Sequence, residues 1–124
     1  VIAKWLSAKS DVIIFDEPTI AQDYKGKETI KGIIRELRSR GKLVLTIIHD
    51  MDFVAECFER TLVFAKGKVL LDGPTAEVFS HEAELKTAYL ETPHVTQLCS
   101  RLGYDEVFLT VEDFVEQVRQ QNKG

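Results

Sequence analysis

Three side chains have the types and placement to do chemistry together. Asp16 and Glu17 stand side by side in front of Pro18, and His49 follows one helix and one strand further on. Adjacent carboxylates suit phosphoryl transfer to water. Asp16 can hold Mg²⁺ directly or through its waters, because that hard cation takes oxygen ligands and keeps part of its hydration shell. Glu17, pointing the other way by strand alternation or released into the turn, can polarise the attacking water as a general base. A histidine N–H beside them can bond a phosphate oxygen or hold the water in line. Each residue also has a plainer reading. Asp-Glu-Pro can simply close a buried strand with polar turn residues, and a histidine at a strand end is commonly a structural hydrogen-bonding group. His49 and Asp50 could instead join Asp16 as metal ligands, against which stands the lack of a second His or Cys at ligand spacing.

The elements that must position these groups are legible from hydrophobic pattern. Val12-Ile13-Ile14-Phe15 reads as a strand buried on both faces, as in the middle of a parallel sheet, and Pro18 ends it. In open α/β sheets the C-terminal strand edge is where ligands bind. Thr19 to Asp23 form a short loop. A helix is expected from Lys25 to Arg40, with Ile30, Ile33, Ile34 and Leu37 on its buried face and Gly41 as its stop; its Lys and Arg residues read as a solvated face. Lys42 to Ile48 is a second buried strand. Strand, helix and strand at this spacing make a right-handed βαβ unit, which brings His49 to the edge that carries Asp16 and Glu17.

Composition sets the outer limits. The chain has 124 residues, a net charge of −4 and 44% hydrophobic residues, enough for one modest domain. No apolar run approaches the roughly 20 residues that cross a bilayer, so membrane association would come through a partner. Lys and Arg are scattered rather than gathered on a basic face, which argues against a dedicated nucleic-acid binder. Cys57 and Cys99 fall on separate predicted helices without metal-ligand spacing, so no disulfide is expected.

Further along, Asp50 is expected to cap a helix from Met51 to Glu59 with Phe53, Val54, Cys57 and Phe58 on its apolar face. Two apolar runs around Lys66-Gly67 read as a β-hairpin that extends the sheet antiparallel. Gly73-Pro74-Thr75 turns into a short helix through Val78 and Phe79. Ser80 to Leu90 reads as another helix, and Thr92-Pro93 caps one that carries Val95, Leu98, Cys99 and Leu102 and stops at Gly103. A final helix starts at Thr110 with Asp113 completing a capping box and Val111, Phe114, Val115 and Val118 inward. Val1 to Ala8 reads as the end of a helix with Ile2, Trp5 and Leu6 on one side.

In this order, Val12-Ile-Ile-Phe-Asp-Glu-Pro-Thr19, Asp23, Ile47-Ile-His49-Asp-Met51 and Phe64-Ala-Lys-Gly-Lys-Val-Leu-Leu-Asp-Gly-Pro74 with Glu77-Val-Phe79 resemble the second half of an ATP-binding cassette (ABC) transporter ATPase. The likeness covers nearly three quarters of the chain. It implies an α/β fold, the C-terminal part of a P-loop NTPase (RecA-like) lobe: parallel strands with flanking helices, an antiparallel hairpin and a small helical tail. On that resemblance, residues 1–79 are core and 80–124 are a tail that adds to contact between paired ATPases. Asp16 then matches the Mg²⁺-coordinating acid, Glu17 the catalytic base and His49 the switch histidine sensing the γ-phosphate of ATP. Thr19 to Asp23 match the loop whose aspartate communicates with a second ATPase. The loop departs from the family, reading Ile20-Ala21-Gln22 where a small residue and then Leu are common before the Asp, and Ile48 replaces the usual Thr. The tail phrases Pro93-His-Val-Thr-Gln-Leu98 and Leu109-Thr-Val-Glu-Asp-Phe114 are similar to the energy-coupling-factor ATPases of vitamin and cobalt or nickel uptake.

A G-x-x-x-x-G-K-[ST] loop is absent, because Gly26-Lys27-Glu28 and Gly67-Lys68-Val69 lack the preceding glycine and the hydroxyl residue. So are the family's Gln loop and Leu-Ser-Gly-Gly-Gln signature. The chain is therefore expected to be a C-terminal piece of a longer ATPase. It would need the N-terminal half, a second ATPase and integral membrane subunits on the cytoplasmic side of the membrane, and would be inactive alone. Two other readings are a chromosome-maintenance type ATPase half, which shares the acidic strand and the histidine, and a non-enzymatic protein-contact module.

Overall fold

A computed structural model describes residues 9–124; the helix end expected at Val1 to Ala8 lies outside the described residues. The chain forms two compact units, one running to Asp50 and the other Met51–Gly124.

In the first unit, β1 (Val12–Asp16) pairs in parallel with β2 (Leu43–Ile47), from Val12 opposite Leu43 to Asp16 opposite Ile47. The crossover is α1 (Tyr24–Ser39), whose start is fixed by Asp23: its carboxylate accepts the Gly26 N–H at 2.8 Å. Its end is a Schellman turn. Gly41, at φ 76°, donates to Arg38 O at 2.9 Å, and Lys42 donates to Leu37 O at 3.1 Å. An L side chain resists that φ, so the glycine placed as a stop does serve as one. Ile34 and Leu37 of α1 are buried with Ile13 of β1.

The expectation of strands buried on both faces is corrected. Alternation sends Ile13, Phe15, Val44 and Thr46 to one face, while Val12, Ile14, Leu43, Leu45 and Ile47 are all exposed on the other. With two strands and a single helix, only one face has a cover among the described residues.

In the second unit, α2 (Met51–Cys57) stops short of Glu59, and Phe53, Val54 and Ala55 are its buried residues. β3 (Arg60–Ala65) and β4 (Lys68–Pro74) form the expected hairpin, with a bulge between Val63 and Phe64. Lys66 at φ 51° and Gly67 at φ 74° give the two-residue turn whose twist matches that of the strands. Among the described residues the hairpin is a two-stranded sheet, β3 paired with β4, where an added edge on a larger sheet was expected. Arg60 and Asp72 cross it with two hydrogen bonds of 2.9 Å, and these hold the Asp72 carboxyl below the usual carboxylate range. Thr75 is buried, donating to Phe58 O at 2.6 Å and accepting from Thr61 Oγ1 at 2.8 Å.

The short helix expected through Val78 and Phe79 forms, and the one expected from Ser80 to Leu90 is shorter at both ends. α3 (Thr75–Ser80) and α4 (Glu82–Thr87) meet at His81, which has φ −89° and ψ 61°. On one continuous helix, residues six apart stand about 120° apart around the axis; the break lets Phe79 and Leu85 both be buried. α5 (His94–Arg101) follows Pro93, which caps it without a side-chain bond. Its N-terminus is held from a distance: Asp52 Oδ1 accepts the His94 N–H at 2.9 Å, and Asp52 Oδ2 lies 2.5 Å from His94 Nδ1. α6 (Val111–Asn122) starts at Thr110, whose hydroxyl accepts from Asp113 N at 3.2 Å. Phe114 alone of its four expected inward residues packs against the cluster of Val95, Cys99 and Phe108, with rings at 5.4 Å from Tyr104 and Phe108. Val111 and Val115 are exposed, and Val118 is half-buried. Cys99 is buried, and that burial pushes its thiol up.

α4 ends in the same Schellman turn as α1 and α5, since Tyr89 N donates to Lys86 O at 3.1 Å and Leu90 N to Leu85 O at 2.9 Å. Here the left-handed position is occupied by Tyr89, at φ 59° and 97% exposed. Tyr89→Gly is therefore expected to raise stability by about 1 kcal/mol, because it relieves the backbone strain and removes no buried side chain. Chemical unfolding would check this, and a loss of stability would mean that Tyr89 makes an unrecognised contact.

Candidate active site

The parallel register delivers the functional side chains. Asp16 is the last residue of β1 and is exposed. Glu17 continues the ladder by one bond, its N–H donating to Ile47 O at 2.8 Å. The chain then leaves the strand: Glu17 has φ 48°, a left-handed conformation that costs a non-glycine residue on the order of 1 kcal/mol. Such strain persists only where surroundings enforce it, and it gathers at functional sites. Glu17 is thus turned out of strand alternation. Its Oε1 meets His49 Nδ1, joining β1 to the segment after β2 across 32 residues of chain. The carboxylate is 22% exposed and the imidazole 77%.

A carboxylate accepts, so the contact assigns the proton of a neutral His49 to Nδ1 and leaves Nε2 as the unshared ring atom. Glu17 keeps its second oxygen for a proton acceptor's role. The structure therefore brings Asp16, Glu17 and His49 to one edge. It gives Asp23 a different immediate task, capping α1 behind the loop in which Thr19 is buried. Among the described residues no three His, Cys, Asp or Glu side chains gather as a metal cage. Asp16 is a lone exposed carboxylate, a donor that suits Mg²⁺ shared with phosphate oxygens and water. The grouping of His49 and Asp50 with Asp16 as a ligand set is not formed. Asp50 accepts from Lys27 Nζ at 2.7 Å.

Lys27 was missed by pattern reading, which assigned the cations of α1 to a solvated face. The two residues are 23 apart, and only the parallel crossover brings them together.

Comparison with known proteins places the chain in a family. No protein-family model matches the chain. It is 43% identical over 116 residues to a putative ABC transporter ATP-binding protein of Methanosarcina acetivorans, covering 90% of this chain and 19% of that protein. It is 36% identical over 106 residues to one of Pyrococcus furiosus, covering 86% of this chain and 40% of the relative. An energy-coupling factor transporter ATP-binding protein of Mycoplasmoides gallisepticum is 32% identical over 114 residues, 91% of this chain and 36% of the relative. Over the part that it matches, the chain belongs to the ABC transporter ATP-binding proteins. It spans between 19% and 40% of the length of these relatives. No described helix is long and apolar enough to cross a membrane.

Proposed function

We propose that this chain supplies the hydrolytic part of the ATP-hydrolysing subunit of an ABC importer, coupling ATP hydrolysis to uptake of a small solute of the vitamin or cobalt/nickel type. The observation that carries this reading is the Glu17–His49 contact beside Asp16 on a shared strand edge. Glu17 takes the proton of the attacking water. His49, donating Nδ1–H to Glu17, fixes that carboxylate, and in its imidazolium form it also carries an Nε2–H that can donate to a γ-phosphate oxygen. Asp16 would hold Mg²⁺, which neutralises phosphate charge when bound. Asp23, in the loop from Thr19, faces a second ATPase subunit or domain, and the helical tail 80–124 adds to that dimer. The core 1–79 works with an N-terminal portion carrying the phosphate loop and with integral membrane subunits, peripheral to the cytoplasmic face. The transporter names of the relatives favour this reading over a chromosome-maintenance ATPase or a non-enzymatic module.

The phosphate-loop amides and lysine supply most triphosphate affinity, and this sequence has no such loop. Calorimetry of the 124-residue chain with Mg-ATP is expected to show no binding tighter than roughly the millimolar range. The complete ATPase should bind in the micromolar range. Micromolar binding by the chain alone would mean that the phosphates sit elsewhere, and the reading would fall.

A further inference from the structure

His49 is 77% exposed on its side chain, so little packing holds its ring. Beyond the Glu17 contact, its position depends on the backbone that carries it, and the adjacent Asp50 is where that backbone is tied down. Lys27 Nζ donates to Asp50 Oδ2 at 2.7 Å, with the two side chains 37% and 22% exposed. Lys27 is itself anchored to the loop ahead of α1: its N–H donates to Asp23 O at 3.0 Å, in the turn that the Asp23 carboxylate caps through Gly26 N at 2.8 Å.

A short run of covalent and hydrogen bonds thus leads from Asp23 through Lys27 and Asp50 to His49 and Glu17, all within the first unit. We propose that Lys27 is a positioning residue for His49, acting through Asp50, and that it makes the stance of the imidazole depend on the loop from Thr19 to Asp23. Its effect on turnover rests on the hydrolytic reading above; its effect on the ring does not. An ordinary ion pair of this exposure contributes little to stability. A purely structural role therefore predicts a small change in melting and none in catalysis.

The test uses the complete ATPase. K27M should lower kcat by about tenfold while KM for ATP stays within about twofold. K27R should recover most of the loss, since a guanidinium reaches the same carboxylate. K27M in a D50A background, which already lacks the acceptor, should cost nothing further, because the two residues act as one unit. K25M, which removes an exposed lysine from the same turn, should leave kcat unchanged. In the nucleotide-free protein, K27M should displace the ring resonances of His49 and K25M should not. Wild-type kcat in K27M, additive losses in the double variant, or unmoved His49 resonances would each overturn the proposal. An E17Q protein that still hydrolyses ATP while K27M moves those resonances would sink the hydrolytic reading alone and leave the positioning role standing.

Discussion

In the complete ATPase, Glu17→Gln is expected to lower kcat by roughly two to four orders of magnitude, the usual worth of a positioned general base, while leaving nucleotide binding in place. The amide keeps the shape of the side chain, and its oxygen can still accept the His49 Nδ1–H, so the pairing seen at the strand edge survives. What is lost is basicity. Phosphate release and nucleotide binding, measured side by side, separate the two effects. Unchanged turnover would remove Glu17 from the role of base, and loss of binding in parallel with turnover would make its contribution structural.

Leu37→Ala should have the largest effect on stability, about 2–5 kcal/mol. Leu37 is 0% exposed and lies with Ile34 and Ile13 in the small core that holds α1 against β1 and β2. Because the opposite face of those strands is open among the described residues, that core has no second layer to absorb the cavity. The midpoint of urea unfolding reads the change, with the slope reporting whether the unfolded state is altered as well. A loss below about 1 kcal/mol would show that the site collapses around the deletion and that α1 is less firmly seated than its burial suggests.

Much of this was legible in the amino-acid order because local rules and tertiary demands agree. Val12 to Asp16, the helix ending before Gly41, and the hairpin around Lys66-Gly67 each carry both a period and a punctuation residue. The convergence of Asp16, Glu17 and His49 followed from one inference, that the two apolar runs pair in parallel. Other features did not follow. A run such as Leu43-Val44-Leu45 is apolar on both faces whether or not a neighbour covers them, so exposure of one face has no local signature. Val111 and Val115 share the helical spacing of Phe114, yet only the aromatic ring reaches the Val95–Cys99–Phe108 cluster. The Glu17 backbone, left-handed in front of a proline, was likewise invisible to pattern, because such strain is imposed by the register around it.

The carboxylate of Asp52 grips the first residue of α5 from 42 positions earlier, so two short helices are made to depend on each other. Seven residues in α2 and eight in α5 are too few to wind into a lasting helix unaided. The bond that joins them closes a long loop at an entropic cost, and losing it would loosen both ends of that loop together.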